Sequence, residues 1–312
     1  MHGLLFWPLL VIILDVALVQ GLLISARLTK NHVLEFYGRS IASFSALVLC
    51  AIYGTIASAC LNVVGKGGLG QWTAAKAFKW CMLAFTGVWF EVLDEKDWVH
   101  TTRPAVFVGN HQTELDVAVL GHVFPPYCCV TAKKSLKWIP VLGWFMTLSK
   151  TVFIERTSRE QAVAAFAKAA ESMHDLKQSV YIFPEGTRSY YDHPDMLPFK
   201  KGAFHLAVQA QVPIVPVVVA NYSNILNVQR KIFRMGTIPI RILEPVATKG
   251  KTKEDVGALL EEVRTKMVAA LKELTAHARQ EGVALQEHEA SHAKFNGTAK
   301  ATGLDTRLNA AA

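Results

Sequence analysis

Two long apolar segments near the N-terminus constrain the fold more than any other feature. Residues 4–24 are almost continuously apolar, and residues 41–64 contain no charged side chain. Roughly 20 helical residues cover the hydrocarbon core of a bilayer, so each segment is long enough to enter or span one. With residues 26–40 as a connecting loop, the pair predicts a membrane-embedded helical hairpin. Asp15 lies inside the first segment, and we expect it to face a protein partner or to be protonated, because a carboxylate in lipid is costly.

A secretory signal is the alternative interpretation of the first segment. No basic region precedes it and no clear small-residue cleavage site follows it, which favours a retained helix. The composition agrees with a membrane portion, since 51% of the residues are hydrophobic and the mean hydropathy is +0.25.

The net charge of +8 favours an anionic partner such as an acidic membrane face or a phosphorylated substrate. The sequence lacks the motifs of nucleic-acid-binding domains, so nucleic acid is excluded as a partner. The five cysteines have no metal-type spacing. Cys128 and Cys129 are adjacent in a predicted strand and point to opposite faces, so we expect reduced thiols and no bound metal.

From residue 88 onward, short apolar runs alternate with helical patterns, which predicts an α/β layered domain. The clearest predicted helix is 158–177, where Ser158 and Gln161 fit a capping box. We predict a membrane hairpin over 1–66, an α/β domain over 67–281 and a flexible polar tail over 282–312. The predicted strands are 88–93, 105–108, 127–131, 152–154, 180–183, 214–219 and 238–243.

A histidine and an aspartate follow the predicted strand at 105–108. His111 and Asp116 are separated by four residues, and Asp116 opens the next apolar run. Reactive groups of α/β proteins commonly stand on loops after the carboxyl ends of strands. The same two side chains would serve equally well as a cap for the following helix, so this stretch alone leaves both interpretations open.

A second polar cluster, Glu185, Gly186, Thr187, Arg188 and Ser189, follows the strand predicted at 180–183. A guanidinium matches the geometry of phosphate, and glycine lets backbone N–H groups approach an anion. An ordinary turn with a surface ion pair is the alternative.

Lys137 and Arg156 lie between the two clusters, near the ends of other predicted strands. If they converge on the same face, they would add to an anion site. A solvated surface position is the alternative for each of them.

In order along the chain, these motifs resemble those of the glycerolipid acyltransferases, in particular the lysophosphatidic acid acyltransferases of fungal type. The resemblance rests on four blocks: Asn110-His111-x4-Asp116, Lys137-x-Ile139-Pro140 with Gly143 and Phe153-Ile154-x-Arg156, Phe183-Pro184-Glu185-Gly186-Thr187-Arg188-Ser189, and Val212-Pro213-Ile214-Val215-Pro216. It implies a central mixed sheet flanked by helices, behind the membrane hairpin, and a location in the endoplasmic reticulum membrane.

The family's activity implies acyl transfer from acyl-CoA, as co-substrate and without a cofactor, to the sn-2 hydroxyl of lysophosphatidic acid. His111 would act as the base and Asp116 would orient it. Arg188 and the backbone near Gly186 would bind the acceptor phosphate, with Lys137 and Arg156 as additional cations. Glu185 would orient the loop or the glycerol, and Thr187 would contribute to substrate binding.

Three other functions stay open at the level of sequence: acyl transfer to a different lysophospholipid, lipid hydrolysis, and non-catalytic lipid binding. A hydrolase would need a nucleophile, and the chain has no Gly-x-Ser-x-Gly elbow. An apolar lip for the acyl chain is a further hypothesis, formed by Trp138, Trp144, Phe145 and Met146, although the same residues could belong to the core.

Overall fold

The computed structural model describes residues 2–155, 157 and 159–302. The chain begins with two long helices, α1 (His2–Thr29) and α2 (His32–Val63). Among the described helices, these two are long and apolar enough to cross a membrane by length and composition. Most of the described large side chains of α1 are exposed, with Trp7 at 67% and Val11 at 63%. An apolar surface of this extent is unfavourable in water, so it indicates contact with lipid.

The predicted loop at residues 26–40 is wrong, because only Lys30 and Asn31 interrupt the two helices. Asn31 caps α2, where its side chain accepts a hydrogen bond from the Val33 backbone N–H at 2.9 Å. The polar residues that suggested a loop lie on the first turns of α2. There Arg39 Nε donates to Glu35 Oε1 at 2.9 Å, and the Arg39 guanidinium also donates to the carbonyl of Thr86. Paired in this way, the charges are compatible with a helix.

The second helix contacts both its hairpin partner and the rest of the chain. Ser45 Oγ of α2 donates to Asp15 Oδ2 of α1 at 2.9 Å, which confirms the expected protein partner for that carboxylate. On another side of α2, Asn62 Nδ2 donates to the Leu148 carbonyl at 2.9 Å, at the end of α6 (Leu142–Leu148). Phe145 of α6 packs against Gly54, where a larger residue would collide with its ring. The hairpin is therefore attached to the following domain by direct contacts.

Within the described residues, seven strands form the main sheet, in the order β1-β9-β6-β2-β5-β3-β4. The sheet is mixed, because β6 and β9 pair antiparallel while the other neighbours pair parallel. All seven predicted strands are confirmed, with ends displaced by two residues or fewer. A short β7–β8 hairpin was not predicted. The strands are β1 (Val88–Leu93), β2 (Val106–Gly109), β3 (Cys128–Lys133), β4 (Val152–Ile154), β5 (Ser179–Ile182), β6 (Ile214–Val219), β7 (Leu226–Asn227), β8 (Ile232–Phe233) and β9 (Gly236–Ile242).

Helices cover both faces of this sheet. Alternate residues of a strand point to opposite faces, so Phe107 of β2 packs in one core and Val106 and Val108 pack in the other. The first core includes α3 (Gly70–Thr86) and α5 (Asp116–Val123). The second core includes α7 (Arg159–Asp175), α8 (Gly202–Gln209) and α9 (Val256–Thr302). The predicted α/β architecture with a mixed central sheet behind two apolar helices is thereby confirmed.

Two sequence predictions fall at the margins of the described residues. Helix α9 continues to Thr302, past the end predicted at residue 281, and residues 303–312 lie outside the described part. The flexibility of the segment after 282 stays a prediction. Ser158, the proposed cap of α7, also lies outside the described residues. The five cysteines, all within the described part of the chain, are free, as expected.

Candidate active site at the carboxyl edge of the sheet

Three loops meet at one edge of the sheet because their strands run parallel. Strand β2 pairs with β5 on one side and with β6 on the other, both in parallel register. The loops after Gly109, Ile182 and Val219 therefore leave the sheet at the same edge. Asn110 ties two of them together, since its side chain donates to the Val219 carbonyl at 2.9 Å and accepts from the Val219 N–H at 2.8 Å.

The His111 ring is held by the Asp116 carboxylate. His111 Nδ1 lies 2.7 Å from Asp116 Oδ2, and the Asp116 side chain is 1% exposed whereas that of His111 is 19% exposed. The same oxygen accepts the backbone N–H groups of Gln112 and Thr113 at 2.5 and 3.2 Å. Asp116 therefore closes the turn and orients the histidine together. Because Nδ1–H donates to the carboxylate, Nε2 is the ring nitrogen that remains to take a proton.

Tyr222 is a site residue that sequence reasoning missed. Its hydroxyl donates to Asp116 Oδ1 at 2.6 Å and lies 2.9 Å from Thr113 Oγ1. Burial raises the pKa of Tyr222 well above its usual value, and the negative charge of Asp116 raises it further, so the phenol stays a donor. The available signal was its position: Tyr222 follows β6, whose end lies at the same edge as the other two loops.

Phe183 packs against one face of the His111 ring. The rings of His111 and Phe183 are stacked, with centroids 4.1 Å apart and an angle of 20° between their planes. Phe183 in turn contacts Tyr181 of β5 edge to face at 5.2 Å. Between the carboxylate at Nδ1 and this stack, the imidazole has one defined orientation.

The loop that carries Glu185 and Arg188 is bonded directly to the His111 turn. The Ser189 N–H donates to the His111 carbonyl at 2.9 Å, and the Tyr190 N–H donates to the Gln112 carbonyl at 3.1 Å. In the other direction, the His111 N–H donates to Glu185 Oε1 at 2.6 Å. The two sequence clusters thus form a single unit, because the strands that precede them are parallel neighbours.

Glu185 is buried inside this unit and stabilises it by hydrogen bonds. It is 2% exposed, and its second oxygen accepts the Leu197 N–H at 2.8 Å. Burial raises the pKa of Glu185 to about 7, although the two backbone N–H groups oppose that shift. The predicted role in orienting the loop fits these contacts. No described hydrogen bond joins the Glu185 carboxylate to a titratable side chain.

This shift gives a pH dependence of stability. In the unfolded chain Glu185 ionises near 4.5, whereas in the folded protein it ionises near 7. The folded state then holds the proton more tightly between these values, so stability falls as the pH rises through that window. We expect this group to lower the free energy of unfolding by about 3 kcal/mol from pH 4.5 to 7. Denaturant unfolding of wild type and Glu185→Gln across this range measures it. The same pH dependence of the free energy of unfolding in the two proteins would contradict the assignment.

Arg188 is held by Glu114. Arg188 Nη1 lies 2.9 Å from Glu114 Oε1, and the Tyr190 hydroxyl donates to the same oxygen at 2.6 Å. Both partners of the ion pair are accessible, with side chains 40% and 52% exposed. An exposed pair of this kind contributes little stability, so an incoming anion can replace the carboxylate at modest cost.

The structure does not bring all the predicted site residues together. Gly186 adopts a left-handed conformation at φ +73°, where Lys200 lies so close that a Cβ would contact its Nζ. Thr187 is exposed on the same loop. Lys137 lies elsewhere, on an exposed 3₁₀ turn (Lys134–Trp138), where it lines a different cavity. Arg156 lies outside the described residues. Lys200 is the basic neighbour of the loop that sequence reasoning missed.

The described part of the chain holds no group of three or more His, Cys, Asp or Glu side chains arranged to bind a metal ion. The residues suggested as an apolar lip divide into two groups. Trp138 and Trp144 are 80% and 59% exposed, whereas Met146 is buried and Phe145 packs against α2. Exposed tryptophans are enriched where proteins meet a membrane surface, so the lip hypothesis survives for the first pair only.

Comparisons with known proteins point to the same edge of the sheet. Residues 92–220 match the family model described as Acyltransferase, a range that includes the loops after β2 and β5 and ends where the loop after β6 begins. The chain is 44% identical over 239 residues to the 1-acyl-sn-glycerol-3-phosphate acyltransferase of Saccharomyces cerevisiae, covering 77% of this chain and 78% of that protein. It is 40% identical over 228 residues to the human 1-acyl-sn-glycerol-3-phosphate acyltransferase beta, covering 73% and 80%.

A solved structure extends the likeness to the fold. The crystal structure of the 1-acyl-sn-glycerophosphate (LPA) acyltransferase PlsC from Thermotoga maritima superposes with a TM-score of 0.57 at 25% identity. The match covers 77% of this chain and 94% of that one, so it extends well beyond residues 92–220.

Proposed function

The chain belongs to the 1-acyl-sn-glycerol-3-phosphate acyltransferase family and is an acyltransferase of glycerolipids, and from this premise we propose its donor, acceptor and mechanism. The proposed reaction transfers an acyl group from acyl-CoA to the sn-2 hydroxyl of lysophosphatidic acid. Its products are phosphatidic acid and CoA. The relatives' names support the acceptor, and the geometry of the His111 turn supports the mechanism.

The observation that carries the proposal is the direct bonding between the loop of a base and the loop of an arginine. Backbone hydrogen bonds and the Glu185 side chain join the His111 turn to the Arg188 loop at one edge of the sheet. Lysophosphatidic acid carries a hydroxyl to be deprotonated and a phosphate to be bound on one glycerol unit. A site with one proton acceptor and one cation on loops bonded to each other matches both groups.

In the proposed mechanism the acceptor itself supplies the nucleophile. His111 Nε2 takes the proton of the sn-2 hydroxyl as that oxygen attacks the thioester carbonyl, and the proton then passes to the departing CoA thiolate. Asp116 stabilises the imidazolium that forms in between. No described hydrogen bond joins the His111 ring to a serine or cysteine side chain, which supports a direct attack by the lipid over an acyl-enzyme.

Glu114 occupies the place that we propose for the acceptor phosphate. The phosphate would displace the Glu114 carboxylate and form a two-pronged contact with Arg188, which a guanidinium makes better than a point charge does. The Tyr190 hydroxyl, now bonded to Glu114, would be free to donate to the phosphate as well. Bound acceptor and the Glu114–Arg188 pair are therefore mutually exclusive.

We expect Glu114→Gln to bind the acceptor more tightly, because the competing negative charge is gone. An exposed ion pair contributes up to about 1 kcal/mol, so KM for lysophosphatidic acid should fall by up to about fivefold with kcat little changed. The matched control is Glu261→Gln, an exposed glutamate on α9, outside the three loops. A higher KM in Glu114→Gln would show instead that Glu114 positions Arg188 for binding.

Tyr222→Phe tests the contribution of the phenol that donates to Asp116. Without the phenol, one oxygen of the buried Asp116 carboxylate loses its short hydrogen bond, and a bond to a charged group contributes about 1.5–3 kcal/mol. We expect kcat to fall by about tenfold or more while KM for the acceptor stays unchanged. The control is Tyr53→Phe on α2. An equal change in both kinetic constants would assign Tyr222 to structure alone.

A panel of acceptors with labelled acyl-CoA tests the proposed substrate. Lysophosphatidic acid, glycerol 3-phosphate and lysophosphatidylcholine present a free phosphate with one acyl chain, a free phosphate without a chain, and a capped phosphate. The proposal predicts product with the first acceptor at a rate well above the other two. Preference for lysophosphatidylcholine would favour acyl transfer to another lysophospholipid, and free fatty acid without any acceptor would favour hydrolysis.

The membrane context follows from the substrates and the helices. Lysophosphatidic acid and the acyl chain both reside in the bilayer, and α1 and α2 present an apolar surface next to the domain that carries the site. We propose the endoplasmic reticulum membrane as the location. Fractionation of cells that express the tagged chain, with reticulum and mitochondrial markers, tests that assignment.

A further inference from the structure

A cavity that shares no lining residue with the His111 and Arg188 loops lies on the α7 face of the sheet. It has a volume of about 450 Å³ and lies between α7 and the β3–β4–β5 side of the sheet. Thr151 precedes β4 and Gln178 precedes β5, and both residues line it. His111 and Glu185, by contrast, follow the carboxyl ends of β2 and β5. The volume is within the range of small-molecule sites, about 300–1,000 Å³, and the cavity is not part of the acyl-transfer site.

Positive charge from three separate elements converges on this cavity. Lys137 comes from the 3₁₀ turn after β3, Lys150 from the loop before β4, and Lys168 from α7. Among the described residues that line the cavity, none is acidic. Three lysines that share one concave surface without a carboxylate repel each other, so the arrangement favours a bound anion.

A buried polar group points to the same conclusion independently of the lysines. The Gln178 side chain is nine-tenths buried, with the residue 5% exposed, and its Nε2 atom has no hydrogen-bond partner in the described structure. A buried amide donor without a partner destabilises the fold, and such groups are uncommon in native proteins. An acceptor oxygen of a ligand in the cavity would satisfy it.

Beside the lysines and the polar residues Thr147, Thr151 and Ser172, the cavity has an apolar part. Val152 and Phe153 of β4 and Leu176 after α7 form the surface beside the lysines, and Leu176 is 61% exposed. We propose that this cavity binds an anionic amphiphile, with a phosphate or carboxylate head at the lysines and Gln178 and a short hydrocarbon part on the apolar surface. The site is distinct from the acceptor site at Arg188 and assigns Lys137 to this cavity instead.

Octyl phosphate, octanoate, octyl glucoside and inorganic phosphate are suitable probes for the full chain in phosphatidylcholine nanodiscs. Hydrogen exchange of peptides from α7 and β4 reports occupancy of the cavity, and exchange of the His111 turn reports the acceptor site. We expect octyl phosphate or octanoate to protect α7 and β4 at concentrations about tenfold below those of the uncharged octyl glucoside, because ion-paired hydrogen bonds add to the apolar contact. The proposal would be overturned if inorganic phosphate, which has no alkyl chain, protected α7 and β4. It would also be overturned if octyl glucoside protected them at the same concentrations as the charged probes.

Matched variants separate the cavity from general charge effects. Replacing Lys137, Lys150 and Lys168 together by glutamine should weaken binding of the charged probe by about tenfold or more, whereas the same change at Lys249, Lys251 and Lys253, which lie outside the cavity, should not. Gln178→Met should weaken binding while leaving thermal stability unchanged or higher, since the Nε2 atom of Gln178 has no hydrogen-bond partner to lose in the described structure. Protection of α7 that depends on Arg188, tested with Arg188→Gln, would place the probe at the acceptor site and refute a second site.

Discussion

His111→Ala is expected to lower the rate of phosphatidic acid formation by about a thousandfold, since general-base catalysis contributes about 10²–10⁴. The ring is 19% exposed and its removal leaves the backbone bonds of the turn in place. The variant should therefore fold and keep its affinity for the acceptor. Activity is measured from labelled acyl-CoA and lysophosphatidic acid in nanodiscs, with binding of the acceptor followed separately.

The chain offers a close control for this substitution. His100 also pairs with an aspartate through Nδ1, at 2.6 Å from Asp97 Oδ1, but it lies exposed on the short helix α4 (Trp98–Thr101). His100→Ala removes the same type of pair and should leave the rate unchanged. Full activity in His111→Ala, or an equal loss in both variants, would rule out His111 as the base.

Asp116→Asn is expected to lower the rate by at least about 100-fold, because every group bonded to the Asp116 carboxylate is a hydrogen-bond donor. Oδ2 receives the His111 ring N–H and two backbone N–H groups, and Oδ1 receives the Tyr222 hydroxyl, so the carboxylate only accepts. An amide must turn its NH₂ group toward one of these donors. Turned toward His111, it forces the proton onto Nε2, where the base is needed; turned toward Tyr222, it still leaves the imidazolium without a negative charge.

The double variant shows whether the two residues act as one unit. Groups that act together lose little more when both are changed than when one is changed. We expect His111→Ala/Asp116→Asn to be about as slow as His111→Ala alone, because Asp116 acts through the ring. Multiplied losses would assign Asp116 an independent role. Because Asp116 is buried and closes the turn, unfolding of each variant must be compared first, and His111→Ala serves as the well-folded reference.

The sequence was sufficient for the features set by local patterns. Apolar runs of strand length predicted every strand of the main sheet, and the parallel pairing of β2 and β5 made the meeting of the His111 and Arg188 loops foreseeable. The sequence could not decide between a helix cap and a ring-orienting role for Asp116. In the described structure its carboxylate orients the ring and closes the preceding turn, and no side-chain hydrogen bond caps α5. That outcome depends on two backbone N–H groups, which carry no sequence signal.

Other features depend on contacts between distant parts of the chain. Glu35 and Arg39 fall within the predicted loop, but their pairing and the contact with Thr86 allow a helix. Tyr222 stands 106 positions from Asp116 in the chain, and only the strand order brings the two together. Lys137 follows a strand's carboxyl end, as a site residue would, yet the 3₁₀ turn directs it into a separate cavity. Glu114 pairs with Arg188, 74 positions away in the chain, and only the meeting of their loops brings the two together.

The source of the nucleophile is the central claim, and release of CoA in the absence of an acceptor tests it most directly. Enzyme at high concentration is mixed with acyl-CoA alone, and free CoA and the intact mass of the protein are followed over a single turnover. If the lipid hydroxyl attacks the thioester, no CoA is released and no acyl group appears on the protein until lysophosphatidic acid is added. A burst of CoA equal to the enzyme, with an acylated protein, would contradict the mechanism.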